Sequence, residues 1–295
     1  MAAIGYSKHR PYRWYNSYGN HSPHSPYSWH CRHRGLPYVC SMKIYAVGNF
    51  KGGTGKTTTA LNLAYALAMN EEPTLLVDMD PQGNLSQSFT YAPPAHLTLA
   101  PVLMGKLPLA SIVTEVSENL YLAPGSDELL QAEKHLQQEP GGELVLREIL
   151  AAVRGGLANI VIDTPPSPGL LTRLALTAAD VVVIPVQPEY YGLEGLAKFV
   201  GTVQQIQRRL NPGLRIGGIL FTRYNRNDKR LVLKDMVALL EGHPELGPHV
   251  LDYTIPENVT VKQAQARKEN LLATYPESAA AVAYQVLASH LRIQS

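Results

Sequence analysis

Cysteine is almost absent from this chain, and its placement matters as much as its scarcity. Both cysteines, Cys31 and Cys40, fall within the first 41 residues, and from Met42 onward there is none. That leaves no thiolates for an iron–sulfur cluster in the bulk of the protein, so no iron–sulfur cluster is expected there. Long apolar runs are also missing. No stretch approaches the roughly 18–20 uninterrupted apolar residues that cross a bilayer, and the N-terminus lacks the basic start, apolar middle and small-residue cleavage site of a secretory leader. The last segment, 277–295, is alanine-rich with one basic residue, Arg292, besides His290. It therefore lacks the lysine-rich polar face of a membrane-surface helix. No membrane partner and a cytoplasmic location are the expectation.

Acidic residues are missing from residues 1–41, which hold six of the 16 tyrosines, five of the ten histidines, both tryptophans and five Lys or Arg. This segment skews every average. Without its five positive charges the rest has 21 basic against 24 acidic residues, a net −3 where the whole chain has +2. The basic balance is therefore no sign of nucleic-acid binding by the globular part. Residues 1–41 read as a disordered basic and aromatic extension. A DNA-binding arm, or an upstream stretch translated from an early start codon before Met42, would have the same composition. His30, Cys31, His33 and Cys40 lack the paired spacing of a zinc site. With 295 residues, 45% of them hydrophobic, the chain supports one large α/β core over 42–295 and not two comfortable domains.

What is present is a glycine-rich loop, Phe50-Lys51-Gly52-Gly53-Thr54-Gly55-Lys56-Thr57-Thr58. Glycines at 52, 53 and 55 let backbone N–H groups close around phosphate oxygens, and a helix starting near Thr57 adds its positive end. Lys56 then neutralises β/γ-phosphate charge, Thr57 offers a hydroxyl to Mg²⁺, and Thr58 a hydrogen bond near the α-phosphate. The flanks read strand, loop, helix. Residues 43–48 are a short β-rich run, 59–69 are apolar at helical spacing, and Glu71-Glu72-Pro73 stops the helix before the buried strand 74–80. Two aspartates, Asp78 and Asp80, sit at the carboxyl end of that strand, where open parallel sheets hold ligands. A second apolar strand, 159–162, runs into Asp163-Thr164-Pro165-Pro166, a carboxylate placed to hold a water of the Mg²⁺ shell opposite Thr57. Capping or turn-forming roles are the plainer readings of these aspartates.

Phe50 stands where the ordinary phosphate loop has its first glycine, and Lys51 is an extra lysine. In this form, Lys-Gly-Gly-x-Gly-Lys-Thr-Thr, the loop resembles the deviant phosphate loop of the ParA/MinD class of ATPases. The run Val77-Asp78-Met79-Asp80-Pro81-Gln82-Gly83-Asn84 and the segment Thr254-Ile255-Pro256-Glu257-Asn258-Val259 resemble the ParA/Soj partition ATPases, and the likeness extends over 42–295. It implies a homodimer formed with ATP and Mg²⁺, with Asp80 orienting the attacking water, Asp163 in the metal shell and Lys51 reaching the partner's nucleotide. Asp78 would support the Mg²⁺ shell or the dimer interface. Pro256 and Asn258 would face the base, unless they form an ordinary strand-ending turn.

The resemblance further implies nonspecific DNA as a track and a ParB-like activating partner. The candidate DNA residues are Arg223, Arg226, Lys229, Arg230, Lys262, Arg267 and Lys268, against the plainer reading of solvated surface charge. Glu257 stands where several members of the family have arginine. Positioning of a non-DNA cargo, or a nucleotide-switched binding module without turnover, are the alternatives to chromosome or plasmid partition.

Further strands are expected at 181–186 and 214–222, and further helices at 109–116, 127–138, 142–153, 193–210, 231–240, 261–268 and 277–295. Strands alternating with helices at this spacing predict an α/β fold: a single P-loop NTPase domain with a mostly parallel twisted sheet and helices on both faces.

Overall fold

Apolar runs without polar alternation predict strands covered on both faces. In the computed structural model the runs Thr74–Asp78, Asn159–Asp163 and Val181–Val186 are buried at every position. The structure describes residues 42–295 except 92, 93, 95, 154, 155, 228, 294 and 295. Residues 1–41, with His30, Cys31, His33 and Cys40, lie outside the described residues.

The chain begins with β1 (Lys43–Val47), the glycine loop, α1 (Lys56–Ala68) and β2 (Thr74–Asp78). After β2 come two short helices, α2 (Asn84–Gln87) and α3 (Leu99–Leu103), then β3 (Thr114–Ser117) and β4 (Leu120–Ala123). Helices α4 (Leu129–Leu136) and α5 (Val145–Ala151) lead to β5 (Asn159–Asp163), α6 (Leu170–Ala178) and β6 (Val181–Val186). The last third holds α7 (Tyr190–Arg209), β7 (Arg215–Thr222), α8 (Leu231–Glu241), β8 (Val250–Ile255), α9 (Val259–Arg267), α10 (Leu271–Thr274) and α11 (Ala279–Ile293).

The eight strands form one sheet in the order β3-β4-β2-β5-β1-β6-β7-β8. All pairs are parallel except the edge pair β3–β4, which is antiparallel and carries a register shift between Glu115 and Ser117. Alternate residues of β1 point to opposite faces. Ile44 and Ala46 join Leu174, Phe199 and Val203 from α6 and α7, while Tyr45 and Val47 join Leu63, Leu67, Tyr284 and Leu287 from α1 and α11. The helix expected over 109–116 is corrected. Leu109–Ser111 form one 3₁₀ turn, and Thr114–Ser117 pair with β4. Val113, Thr114 and Val116 are β-branched, stiff in a helix and suited to an edge strand.

Phe50 has a packing reason for replacing the usual glycine. Its ring meets Phe199, a fully buried residue of α7, edge-to-face at a centroid distance of 5.1 Å. The phosphate loop is thereby pinned to the helical layer behind β1. Restoring the ordinary residue with Phe50→Gly is expected to destabilise the fold by about 1.5–3 kcal/mol, read as a lower urea midpoint at unchanged slope.

Candidate nucleotide site

The glycine loop is held through its acceptors. The carbonyl of Lys51 accepts from Lys56 Nζ at 3.2 Å, that of Gly53 from Gln187 Nε2 at 2.7 Å, and that of Thr54 from Thr222 Oγ1 at 2.8 Å. Gly53 and Gly55 take φ of 79° and 85°, where a side chain would be strained. Gly55 is also the N-cap of α1 and supplies no side-chain hydrogen bond, so the positive end of this 13-residue helix opens into the loop. Donors without partners inside the helix and a favourable dipole make such an end an anion site.

Sequence reading missed Gln187 and Thr222. Both sit at the carboxyl ends of strands, Gln187 just after β6 and Thr222 closing β7, where position alone would have marked them as ligand-side residues.

The register of β2 against β5 pairs Asp78 with Asp163, so two buried carboxyl groups end adjacent strands. Lys56 and Asp80 complete the cluster, and all four are buried. Burial pushes the Asp163 carboxyl well above the usual carboxylate range; Asp78 raises it further, and Thr57 and Lys56 pull it only partly back. Neither Asp163 oxygen has a hydrogen-bond partner of ordinary geometry, although the Thr57 hydroxyl lies near. Lys56 is shifted down by burial, against the opposing pull of Asp163 and Asp80. Asp163 and Asp80 thus face one buried ammonium, with the Asp163 carboxyl left beside the Thr57 hydroxyl. Oxygen donors of this kind suit a hard divalent cation such as Mg²⁺, and Thr57 and Asp163 are the residues that would hold it.

Asp78 is not available for the roles its sequence position suggested. Its Oδ1 accepts from Asp80 N at 3.2 Å, and its Oδ2 accepts from Ser86 N at 2.8 Å and Ser86 Oγ at 2.6 Å. Burial raises its pKa to about 6. Asp80 carries its own turn, with Oδ1 accepting from Gln82 N at 3.0 Å.

Lys51 points away from Lys56, and its Nζ pairs with Glu189 Oε2 at 2.5 Å. Glu189, the N-cap of α7, is 58% exposed in its side chain, so this tether is worth about 0–1 kcal/mol.

A cavity of about 220 Å³ joins the loop to the β8–α9 turn, lined among others by Gly53, Gly55, Thr58, Pro256, Asn258, Gln265 and Tyr284. Pro256 and Asn258 therefore share one cavity with the phosphate loop. Asn258 also caps α9, its Oδ1 accepting from Thr260 N at 2.9 Å. Thr58 Oγ1 accepts from Gln265 Nε2 at 2.7 Å, a partner that sequence spacing gave no sign of.

The basic candidates are mostly engaged. Arg223 and Lys262 both pair with Glu257, at 3.3 and 3.2 Å, which brings the two predicted clusters together at the carboxyl edge of β7 and β8. Arg226 pairs with Glu241 at 3.0 Å, Arg267 donates to Tyr275 Oη at 3.3 Å, and Lys268 donates to the Phe89 carbonyl at 3.0 Å. Lys229 and Arg230 are exposed ahead of α8.

Replacing Asp163 by Asn removes a carboxyl whose charged form burial disfavours. A folded pKa above the ordinary 3.8 means that the native state holds the proton longer than the unfolded chain, so wild-type stability falls as pH rises from about that value. Without nucleotide or metal, Asp163→Asn is expected to melt higher by about 2–4 °C per kcal/mol recovered. The gap should widen as pH rises above about 3.8, read by calorimetry, while Mg²⁺-dependent nucleotide affinity is lost.

Residues 42–216 match the AAA domain family. The chromosome partitioning protein ParA of Caulobacter vibrioides is 38% identical over 252 residues, 84% of this chain and 92% of that one. The sporulation initiation inhibitor protein Soj of Bacillus subtilis is 38% identical over 251 residues, 84% and 98% of the two chains. Among solved structures, a cobyrinic acid a,c-diamide synthase from Mycobacterium smegmatis with bound ATP analog and magnesium superposes with a TM-score of 0.73 at 31% identity, over 84% of this chain and 93% of that one. An ATP complex of a Cyanothece McdA variant gives 0.77 at 25% identity, over 85% and 97%. With its deviant phosphate loop, its Asp80 turn and these relatives at 38% identity, the chain belongs to the ParA/Soj family of chromosome-partitioning ATPases.

Proposed function

We propose that this protein is a Mg²⁺-ATP-dependent dimerising ATPase that binds nonspecific DNA as the ATP dimer and partitions chromosomal or plasmid DNA with a ParB-like partner. The observation that carries the catalytic part is the buried, unpartnered carboxyl of Asp163 beside Lys56 and Thr57. It is a site short of positive charge at the mouth of an anion-binding loop. Thr57 and, through water, Asp163 would hold Mg²⁺ there, and when bound it would supply neutralisation of the phosphate charge.

The protein's own groups divide the remaining work. The N–H donors of 52–58 and Lys56 hold the phosphates, Pro256 and Asn258 bound the base, and Asp80 orients the water that attacks the γ-phosphorus. Lys51 leaves its weak tether to Glu189 and reaches the nucleotide of a second copy. Each nucleotide then gains full charge compensation only in the pair, which couples binding to dimerisation.

In Lys51→Ala, hydrolysis and ATP-driven dimerisation should fall about tenfold or more while nucleotide affinity is retained. Asp80→Ala should abolish turnover and keep the ATP dimer. Light scattering with phosphate release checks both; unchanged dimerisation in Lys51→Ala rejects the role in trans.

DNA contact would use the surface of Arg223, Arg226, Lys229, Arg230, Lys262, Arg267 and Lys268. Glu257 opposes it by holding two of these cations, and their proximity pulls the Glu257 carboxyl below its usual range. Glu257→Gln is expected to tighten nonspecific duplex binding severalfold and to steepen the salt slope by about one to two phosphate contacts, measured by anisotropy titration across salt. The same pairing favours a second reading, a ParA-type switch for a non-DNA cargo. Absence of DNA binding in both wild type and Glu257→Gln selects that reading.

A further inference from the structure

The Asp80 carboxyl is useful only if the short stretch after β2 holds it still, and that stretch has few anchors of its own. Met79 N donates to the Asp163 carbonyl at 3.0 Å, and Gly83 N closes the turn on the Asp80 carbonyl at 2.9 Å. Local bonds from Gln82 N to the Asp80 carboxyl and from Gln87 to the Gln82 and Gly83 carbonyls tighten it further, and the brace to the loop after β4 passes through Asp78 and Ser86. One Asp78 oxygen takes the N–H of Asp80, and the other takes both the N–H and the hydroxyl of Ser86 in α2. Ser86 Oγ in turn accepts from Gly125 N at 3.0 Å, across a sequence separation of 39 residues. The network is buried, Asp78 and Ser86 being 0% and 7% exposed.

Gly125 is part of the fit. A Cβ on it would lie 2.5 Å from the Asp78 carbonyl oxygen and 3.1 Å from Asp78 Cγ, so the strand end and the loop after β4 are in direct backbone contact. The turn is therefore clamped from both ends by one carboxyl group and cross-braced by one hydroxyl to the loop that follows β4.

We propose that Asp78 and Ser86 are positioning residues for Asp80, acting through the Asp80 N–H and the Ser86–Gly125 brace to fix the orientation of the attacking water. The inference rests on the reading of Asp80 as the water-orienting group. Neither residue lines the cavity that joins the phosphate loop to Pro256 and Asn258. The expected effect therefore falls on the chemical step and not on ground-state binding, because a small displacement of an orienting group costs rate while affinity stays. Ser86→Ala removes the brace and one of the three bonds at Asp78. Ser86→Thr keeps the hydroxyl. Asp78→Asn keeps an acceptor for Asp80 N but cannot accept from both donors of Ser86.

The test uses full-length protein with Mg²⁺-ATP. In Ser86→Ala, kcat should fall roughly tenfold or more with KM and nucleotide affinity within about twofold of wild type. Ser86→Thr should restore kcat, and Asp78→Asn should lose at least as much as Ser86→Ala. Hydrogen exchange supplies a readout independent of turnover. In Ser86→Ala the amides of Asp80, Gln82 and Gly125 should exchange about tenfold faster while those of α1 hold. Unchanged kcat together with unchanged exchange overturns the proposal. So does a uniform rise in exchange across the sheet with affinity and rate falling together, which is the mark of general destabilisation. If the wild-type protein shows no turnover, the hydrolytic reading fails by itself, and local exchange at Asp80 and Gly125 still decides whether Asp78 and Ser86 hold the turn.

Discussion

Two carboxyl groups side by side at the ends of adjacent buried strands, opposed by one buried ammonium, set the terms for the rest of this site. The pairing of Asp78 with Asp163 follows directly from the β2–β5 register, and Lys56 is delivered to it by the first turn of α1. Such an arrangement costs free energy in the empty protein, since burial disfavours every charged form present. One carboxyl is relieved locally. Asp78 receives three hydrogen bonds, whereas Asp163 receives none of ordinary geometry. Under the proposed function that inequality gives Asp163 the metal-side role and Asp78 the supporting one.

The topology explains why these groups meet. β1 lies centrally, with β5 on one side and β6 on the other, so the loops leaving β1 and β6 diverge around the carboxyl edge and open a crevice there. Lys51, Asp80, Asp163, Gln187 and Thr222 all follow or close strands at that edge. None needs a special backbone device beyond the loop glycines. The large apolar layers on both faces make the edge rigid, and Phe50 against Phe199 extends that rigidity into the loop itself.

Much of this was legible in the sequence because buried parallel strands are written as unbroken apolar runs. The runs ending in Asp78 and Asp163 were unambiguous, and the glycine loop between a strand and a helix left one physical reading. The edge was harder. β3 has a mixed, half-exposed pattern that also fits a helix turn, and its strand state is decided by pairing with the neighbouring β4, which periodicity within β3 alone does not announce. Side-chain partners were less legible still. Gln265 meets Thr58 across 207 residues, Gln187 meets Gly53 across 134, and Glu257 gathers Arg223 and Lys262 from different elements. Periodicity reports which face a residue lies on, and says nothing about which distant polar group shares that face.

The basic surface illustrates how far composition and geometry can diverge. Seven cations read from sequence as one potential footprint, yet the fold places acidic groups among them, with Glu257 bridging two strand-end clusters and Glu241 holding Arg226. These pairs are exposed, so each is worth little and is readily exchanged for a phosphate. Exchange is favoured where several contacts form at once, because each released acid and counterion adds to the same binding event. Under the proposed function, such a surface would bind a polyanion weakly as single copies and more tightly when two copies present it together, since the second set of contacts would form at high effective concentration. In that reading the nucleotide site and the surface are linked by arithmetic as well as by proximity: pairing of two copies at Lys51 would also multiply the contacts available beyond Glu257.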